Sequence, residues 1–151
     1  MWRDMERLCV RYGLPFRHPS RFPRGGLLAA RIVVGAGDAP WIPDFVRAVY
    51  RANFAEDREI SEPSVMEAVL RQVGVDPAVA LAQAATPATK EQLRASTEQA
   101  ERLGIFGAPS FVARGELFWG NDRLEDALAW ASGTVTASAD PSPGSSGPHP
   151  R

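Results

Sequence analysis

Cysteine, lysine and long apolar runs are what this 151-residue sequence has least of. Its one cysteine, Cys9, cannot close an internal disulfide, which makes the cytoplasm the default compartment. The absence of a Cys-x-x-Cys pair counts against dithiol exchange. Lys90 is the only lysine; the other basic residues are arginines interspersed with acids, and the formal net charge is −1. Such a balance gives no footprint for nucleic acid or an acidic membrane surface. The longest apolar run, near residues 27–34, falls far short of the ~20 residues that span a bilayer. The opening residues Met1-Trp2-Arg3-Asp4-Met5-Glu6 lack the basic and apolar regions of a signal peptide. No His, Cys and carboxylate cluster has metal-ligand spacing. Gly35-Ala36-Gly37 has neither a preceding strand nor the spacing of a dinucleotide loop.

What the chain does have is helical periodicity. Trp2, Met5, Leu8, Cys9 and Tyr12 recur at helical spacing and Gly13 fits the stop, so Cys9 reads as a small buried hydrophobe. Pro15, Pro19 and Pro23 keep residues 14–23 extended, and His18 reads as a surface residue of that loop. Helix is expected from Leu27 to about Val34, with a break at Gly35. Pro43 suits the first turn of the next helix, with Phe45, Val46, Val49, Tyr50 and Phe54 along one side. Ser61-Glu62-Pro63 opens another, carrying Val65, Met66, Val69, Leu70 and Val73 inward and stopping at Gly74. Asp76-Pro77 and Thr86-Pro87 repeat one start signal, a capping side chain followed by proline in the first turn. The second of these starts a long polar-faced helix ending at Leu103-Gly104.

The pattern then changes. Ile105-Phe106-Gly107-Ala108-Pro109 is a turn feeding an apolar strand. Arg114-Gly115-Glu116 reverses the chain, and Leu117-Phe118-Trp119 makes a second strand. Trp119-Gly120-Asn121-Asp122-Arg123 leads into a closing helix, for which Asn121 or Asp122 is a natural N-cap. The expected domain spans 1–133, with a helical region at 1–104 and a hairpin and helix at 105–132. A Ser/Thr/Pro/Gly-rich tail, 134–151, is expected to be disordered. A lone two-stranded hairpin is marginal, so it needs further strands or a helical cover.

A proline at the mouth of a strand, then a hairpin, then a helix, resembles the second half of a thioredoxin-like fold. Together with Gly13-Leu14-Pro15-Phe16, Phe22-Pro23 and Trp119-Gly120-Asn121-Asp122-Arg123, residues 2–132 resemble the 2-hydroxychromene-2-carboxylate isomerases. These are relatives of kappa-class glutathione transferases and of the DsbA group. The resemblance implies an α/β, thioredoxin-like fold with a large helical insertion. It corresponds to the later two thirds of a full member, without the first strand-helix-strand. That leaves an expected open sheet edge. It also implies that no catalytic residue lies in this chain: the family's thiol-activating serine, in an Asp-Phe-x-Phe-Asp-Phe-x-Ser-Pro strand, is expected upstream of Met1.

The same resemblance implies a site and an activity. Ala108-Pro109 should be joined by a cis bond, which costs only about 0.5–1 kcal/mol before proline. The backbone of Ala108 should then pair with the cysteinyl part of glutathione. Trp119, Gly120, Asn121 and Asp122 should hold its γ-glutamyl end, with Arg123 continuing the motif or bracing it. Read from the residues alone, the same positions are an ordinary turn proline, a helix cap and a core tryptophan. Phe22 is either a packing anchor or the aromatic face shown to an aromatic carboxylate substrate. The implied activity is glutathione-dependent cis-trans isomerisation in aromatic catabolism, in a cytoplasmic protein; because members are often dimers, the resemblance also raises a homodimer as a partner. A kappa-type glutathione transferase, a DsbA-like oxidoreductase and a non-catalytic interaction module remain the alternatives.

Overall fold

A computed structural model describes residues 1–134. Apart from Thr134, the expected tail lies outside the described residues. The chain divides into two compact units, Met1–Glu98 and a second that begins at Gln99.

The first unit is helical. It contains α1 (Trp2–Tyr12), α2 (Leu27–Ala36), α3 (Ile42–Phe54), α4 (Pro63–Gln72), α5 (Pro77–Ala85) and most of α6 (Pro87–Arg102). Four of these starts carry proline in the first turn, where its missing N–H has no partner to lose. Both expected capping side chains act: Asp76 Oδ1 accepts from the Ala78 N–H at 2.9 Å, and Thr86 Oγ1 accepts from that of Thr89 at 3.2 Å.

The core is built from α2 to α5, around Ile32, Phe45, Val49, Met66, Val69 and Leu70. The apolar spacing of α4 matches this burial. That of α3 differs from expectation: the buried face runs through Phe45, Ala48, Val49, Ala52 and Asn53, while Tyr50 is 61% exposed. Small residues set this face, because alanines let α3 sit close to α4. The break expected at Gly35 also moves. Helix α2 continues to Ala36, and a Cβ on Gly35 would meet Gln83 Cγ at 3.1 Å and Thr89 Oγ1 at 3.2 Å. Gly35 is there for close helix packing. In α1 no residue is fully buried; Cys9 is half-buried rather than buried, and Tyr12 is exposed.

The proline-rich loop is fastened by a network that residue spacing did not reveal. The Arg24 side chain is 3% exposed. Its guanidinium meets Asp57 Oδ1 at 2.5 Å and Glu59 Oε2 at 3.5 Å, and donates to Asn53 Oδ1 at 3.1 Å. The Ser20 N–H also donates to Asp57 Oδ1, at 2.9 Å. This bond and the Arg24 guanidinium lower the Asp57 carboxyl from 3.8 to about 2. A folded-state value below the free value means stabilisation that is complete above about pH 4 and lost as pH falls towards 2. Thermal midpoints of the chain and of Asp57→Asn, measured from pH 7 to pH 2, test this. The wild type should lose its advantage over the variant between about pH 4 and pH 2; parallel curves would refute the network.

Phe22 lies in this loop, joined to Pro23 by a cis bond that the sequence did not signal. Its ring stands edge-on to Trp2 at 4.7 Å and lies 6.5 Å from Phe54, yet remains 48% exposed. His18 is exposed; its Nδ1–H donates to the Pro19 carbonyl at 3.0 Å, and its ring lies 4.2 Å from Trp2.

The second unit holds the end of α6, the hairpin β1 (Ser110–Ala113) and β2 (Glu116–Trp119), a 3-10 turn at Asn121–Arg123, and α7 (Leu124–Ser132). The strands are antiparallel, with Ser110 opposite Trp119 and Ala113 opposite Glu116. Among the described residues β1 pairs only with β2, so the expected open edge is present. Among them, too, no helix is long and apolar enough to cross a membrane.

Candidate functional site

The hairpin brings together two motifs that lie ten residues apart in sequence. The Gly120 N–H donates to the Pro109 carbonyl at 3.0 Å, extending the strand pairing one step past Ser110 and Trp119. Ala108-Pro109 and Gly120-Asn121-Asp122 therefore adjoin at the same end of the hairpin. The Ala108–Pro109 bond is cis. Ala108 is exposed, and among the described residues neither its N–H nor its C=O has a hydrogen-bond partner. Antiparallel strands alternate between groups that face the partner and groups that face away. With Pro109 turned to Gly120, the backbone of Ser110 and Val112 faces the open side.

Glycine is required at the joints. A Cβ on Gly107 would sit 2.5 Å from Trp119 Nε1, so a side chain there would displace the indole from its place over the turn. Gly120 has φ 117° and ψ 150°, a region closed to other residues, and a Cβ there would meet Asp122 Oδ1 at 2.5 Å. Gly120→Ala should therefore destabilise the second unit by about 1–3 kcal/mol in urea unfolding, with a matching change in Trp119 environment by near-ultraviolet dichroism. An unchanged midpoint would contradict the geometry.

Trp119 is 55% exposed, so it is not a core tryptophan; its ring lies 5.1 Å from the exposed ring of Phe106. The expected N-cap also needs correction. The chain makes a 3-10 turn through Asn121–Arg123, α7 starts at Leu124, and no side chain caps either element. The turn withdraws Asn121 and Asp122 from the position where an oxygen reaches the N–H groups of α7. Both side chains are exposed and make no hydrogen bond among the described residues. Arg123 is committed instead: it donates to Asp126 Oδ2 at 3.0 Å. That bond, followed by the charges of Asp122 and Asp126, raises the arginine's already high pKa.

This end of the hairpin thus offers an unpaired backbone strand at Ala108, an uncommitted carboxylate at Asp122 and an uncommitted amide at Asn121. An extended peptide can add to the first, and an ammonium can pair with the second. Phe22 belongs to the first unit. Residue spacing also missed Arg24 and Asp57; their one sequence signal is Asn53, a polar residue in an otherwise apolar helix face. Among the described residues no group of three or more His, Cys, Asp or Glu is arranged to hold a metal.

A cis-proline hairpin followed by a helix, with a helical unit before it, defines a thioredoxin-like protein. The DSBA-like thioredoxin domain family matches residues 1–129, and the chain belongs to it. Among characterised proteins, the 2-hydroxychromene-2-carboxylate isomerase of Sphingobium xenophagum is 27% identical over 125 residues, covering 83% of this chain and 63% of that protein. Glutathione S-transferase kappa 1 of Homo sapiens is 28% identical over 139 residues, covering 83% and 62%. A solved structure of selenomethionine 2-hydroxychromene-2-carboxylate isomerase superposes with a TM-score of 0.69 at 25% identity, over 87% of this chain and 63% of that one. The chain thus spans less than two thirds of the length of these relatives.

Proposed function

We propose that this chain supplies the glutathione-holding part of a glutathione-dependent isomerase of the 2-hydroxychromene-2-carboxylate type, in cytoplasmic aromatic catabolism. The observation that carries the reading is Ala108: an exposed residue before a cis-proline, with both backbone groups unpaired among the described residues, beside an uncommitted Asp122. Its N–H and C=O pair with the cysteinyl part of glutathione in strand fashion. Asp122 takes the ammonium of the γ-glutamyl end, and Asn121 and the N–H groups of the 3-10 turn take its carboxylate. Trp119 walls the site, and Arg123, tied to Asp126, braces the turn. Phe22 offers its half-exposed ring to the aromatic carboxylate substrate. Bound glutathione supplies the nucleophilic thiol.

No Phe-x-Ser-Pro run occurs in the 151 residues, so the thiol-activating serine is assigned to a segment like the third of the relatives that this chain does not match. An isomerase assay on the purified chain, with and without glutathione, tests this assignment. Turnover should be near the uncatalysed rate; robust glutathione-dependent turnover would place the activating group within these residues. Two other readings have support of their own. The match to a kappa transferase favours conjugation, which a 1-chloro-2,4-dinitrobenzene assay on the same chain separates from isomerisation. The open edge of β1 favours an interaction module, which would form a stable complex without binding glutathione.

A further inference from the structure

The first unit contains a cavity that the proposed glutathione site does not use. It has a volume of about 400 Å³ and lies between α2 and α3, with Ala29, Ala30, Val33, Val46 and Val49 in its wall. Tyr50, exposed and stacked on Phe54 at 6.0 Å, also lines it. The buried polar side chain in this wall is Asn53, 5% exposed.

Asn53 is held in one orientation. Arg24 carries only donors, so the amide must turn Oδ1 towards it, and does so at 3.1 Å. That leaves the two Nδ2–H donors at the other end of the amide, with no acceptor among the described residues. Nδ2 is not one of the fully enclosed side-chain atoms left without a partner, so it keeps access to solvent, and a ligand oxygen that replaces water there gains a directed contact. Arg24 is already matched by Asp57 and Glu59, so no unpaired positive charge stands behind Asn53. An anion entering these apolar walls would lose its hydration without a counter-charge.

We propose that this cavity binds a small uncharged molecule, no larger than about two fused rings, whose single carbonyl oxygen accepts from Asn53 Nδ2. Its volume and the ratio of apolar wall to one fixed donor are those of a small-molecule site. Arg24 acts through Asn53 as a positioning residue. The selectivity for a neutral ligand distinguishes this cavity from a site for an aromatic carboxylate.

Fluorescence titration of the full chain with prodan, a neutral naphthyl ketone whose emission reports hydrogen bonding to its carbonyl, tests the proposal. Saturable one-site binding with a blue-shifted emission is expected. Asn53→Leu, close in shape but without the donor, should weaken it about three- to tenfold. Ala30→Leu, which fills the cavity and leaves the amide intact, should weaken it at least as much while the far-ultraviolet dichroism stays unchanged. In competition, 2-acetonaphthone should displace prodan at concentrations at least about tenfold lower than 2-naphthoate does. Three results would overturn the proposal: no saturable binding by the folded chain, wild-type affinity in Ala30→Leu, or naphthoate competing as well as the ketone. Should Asn53→Leu fail to fold, the Ala30→Leu titration and the competition on the wild-type chain decide the matter.

Discussion

Asp122→Ala is expected to weaken calorimetric binding of reduced glutathione about 10- to 100-fold, the worth of one charge-assisted hydrogen bond in a partly enclosed site. The size of the effect follows from what Asp122 does in the protein alone. It does not cap α7 and makes no hydrogen bond among the described residues. The charge of Asp122 acts on the Arg123 guanidinium, which is bonded to Asp126. Removing the carboxylate therefore costs the fold little and the ammonium of glutathione its counter-charge. Glu125→Ala removes the same charge from the first turn of α7 and should leave affinity within about twofold. Equal losses in the two variants would mean that net charge, not a contact, governs binding. Asp122→Asn, which keeps the shape, should fall with Asp122→Ala.

Phe45→Ala is expected to cost about 3–5 kcal/mol in the urea unfolding of the first unit, the usual penalty for emptying a buried aromatic site. Phe45 is fully buried, meets Trp41 edge-on at 5.8 Å, and joins α3 to the core made by α2, α4 and α5. Phe45 also lines the cavity between α2 and α3, so the space left behind adds to one that is already open. Tyr50→Ala, on the same helix, should cost no more than about 0.5 kcal/mol, because Tyr50 faces solvent. Similar losses from the two variants would contradict the face assigned to α3.

The contrast between Phe45 and Tyr50 shows where residue spacing was a sufficient guide. Apolar residues at helical spacing, a proline in the first turn and a glycine at the stop located α1 to α6, because each signal acts within one turn of chain. The hairpin was legible for the same reason: Arg114-Gly115 turns between two apolar runs that pair in simple register. Which face a helix buries depends on its neighbours. The alanines of α3 and Gly35 of α2 count as packing residues only once α4 and α5 lie against them.

The candidate site divides along the same line. The cis bond at Ala108–Pro109 was expected from the resemblance that the turn and hairpin carry, whereas that at Phe22–Pro23 was not. Asn121 and Asp122 carry the composition of a cap, yet the 3-10 turn shifts the start of α7 to Leu124 and leaves both side chains free. Arg24, Asn53 and Asp57 meet across some thirty residues, and nothing in local spacing announces such a network.

The most direct test of the glutathione assignment is a titration of the 15N-labelled chain with reduced glutathione, followed by amide chemical shifts. The largest shifts should fall on Ala108, Ser110, Gly120, Asn121 and Asp122, and Asp122→Ala should move their midpoint to about 10- to 100-fold higher glutathione. A folded chain whose shifts at saturating glutathione are absent, or fall elsewhere, would contradict the assignment.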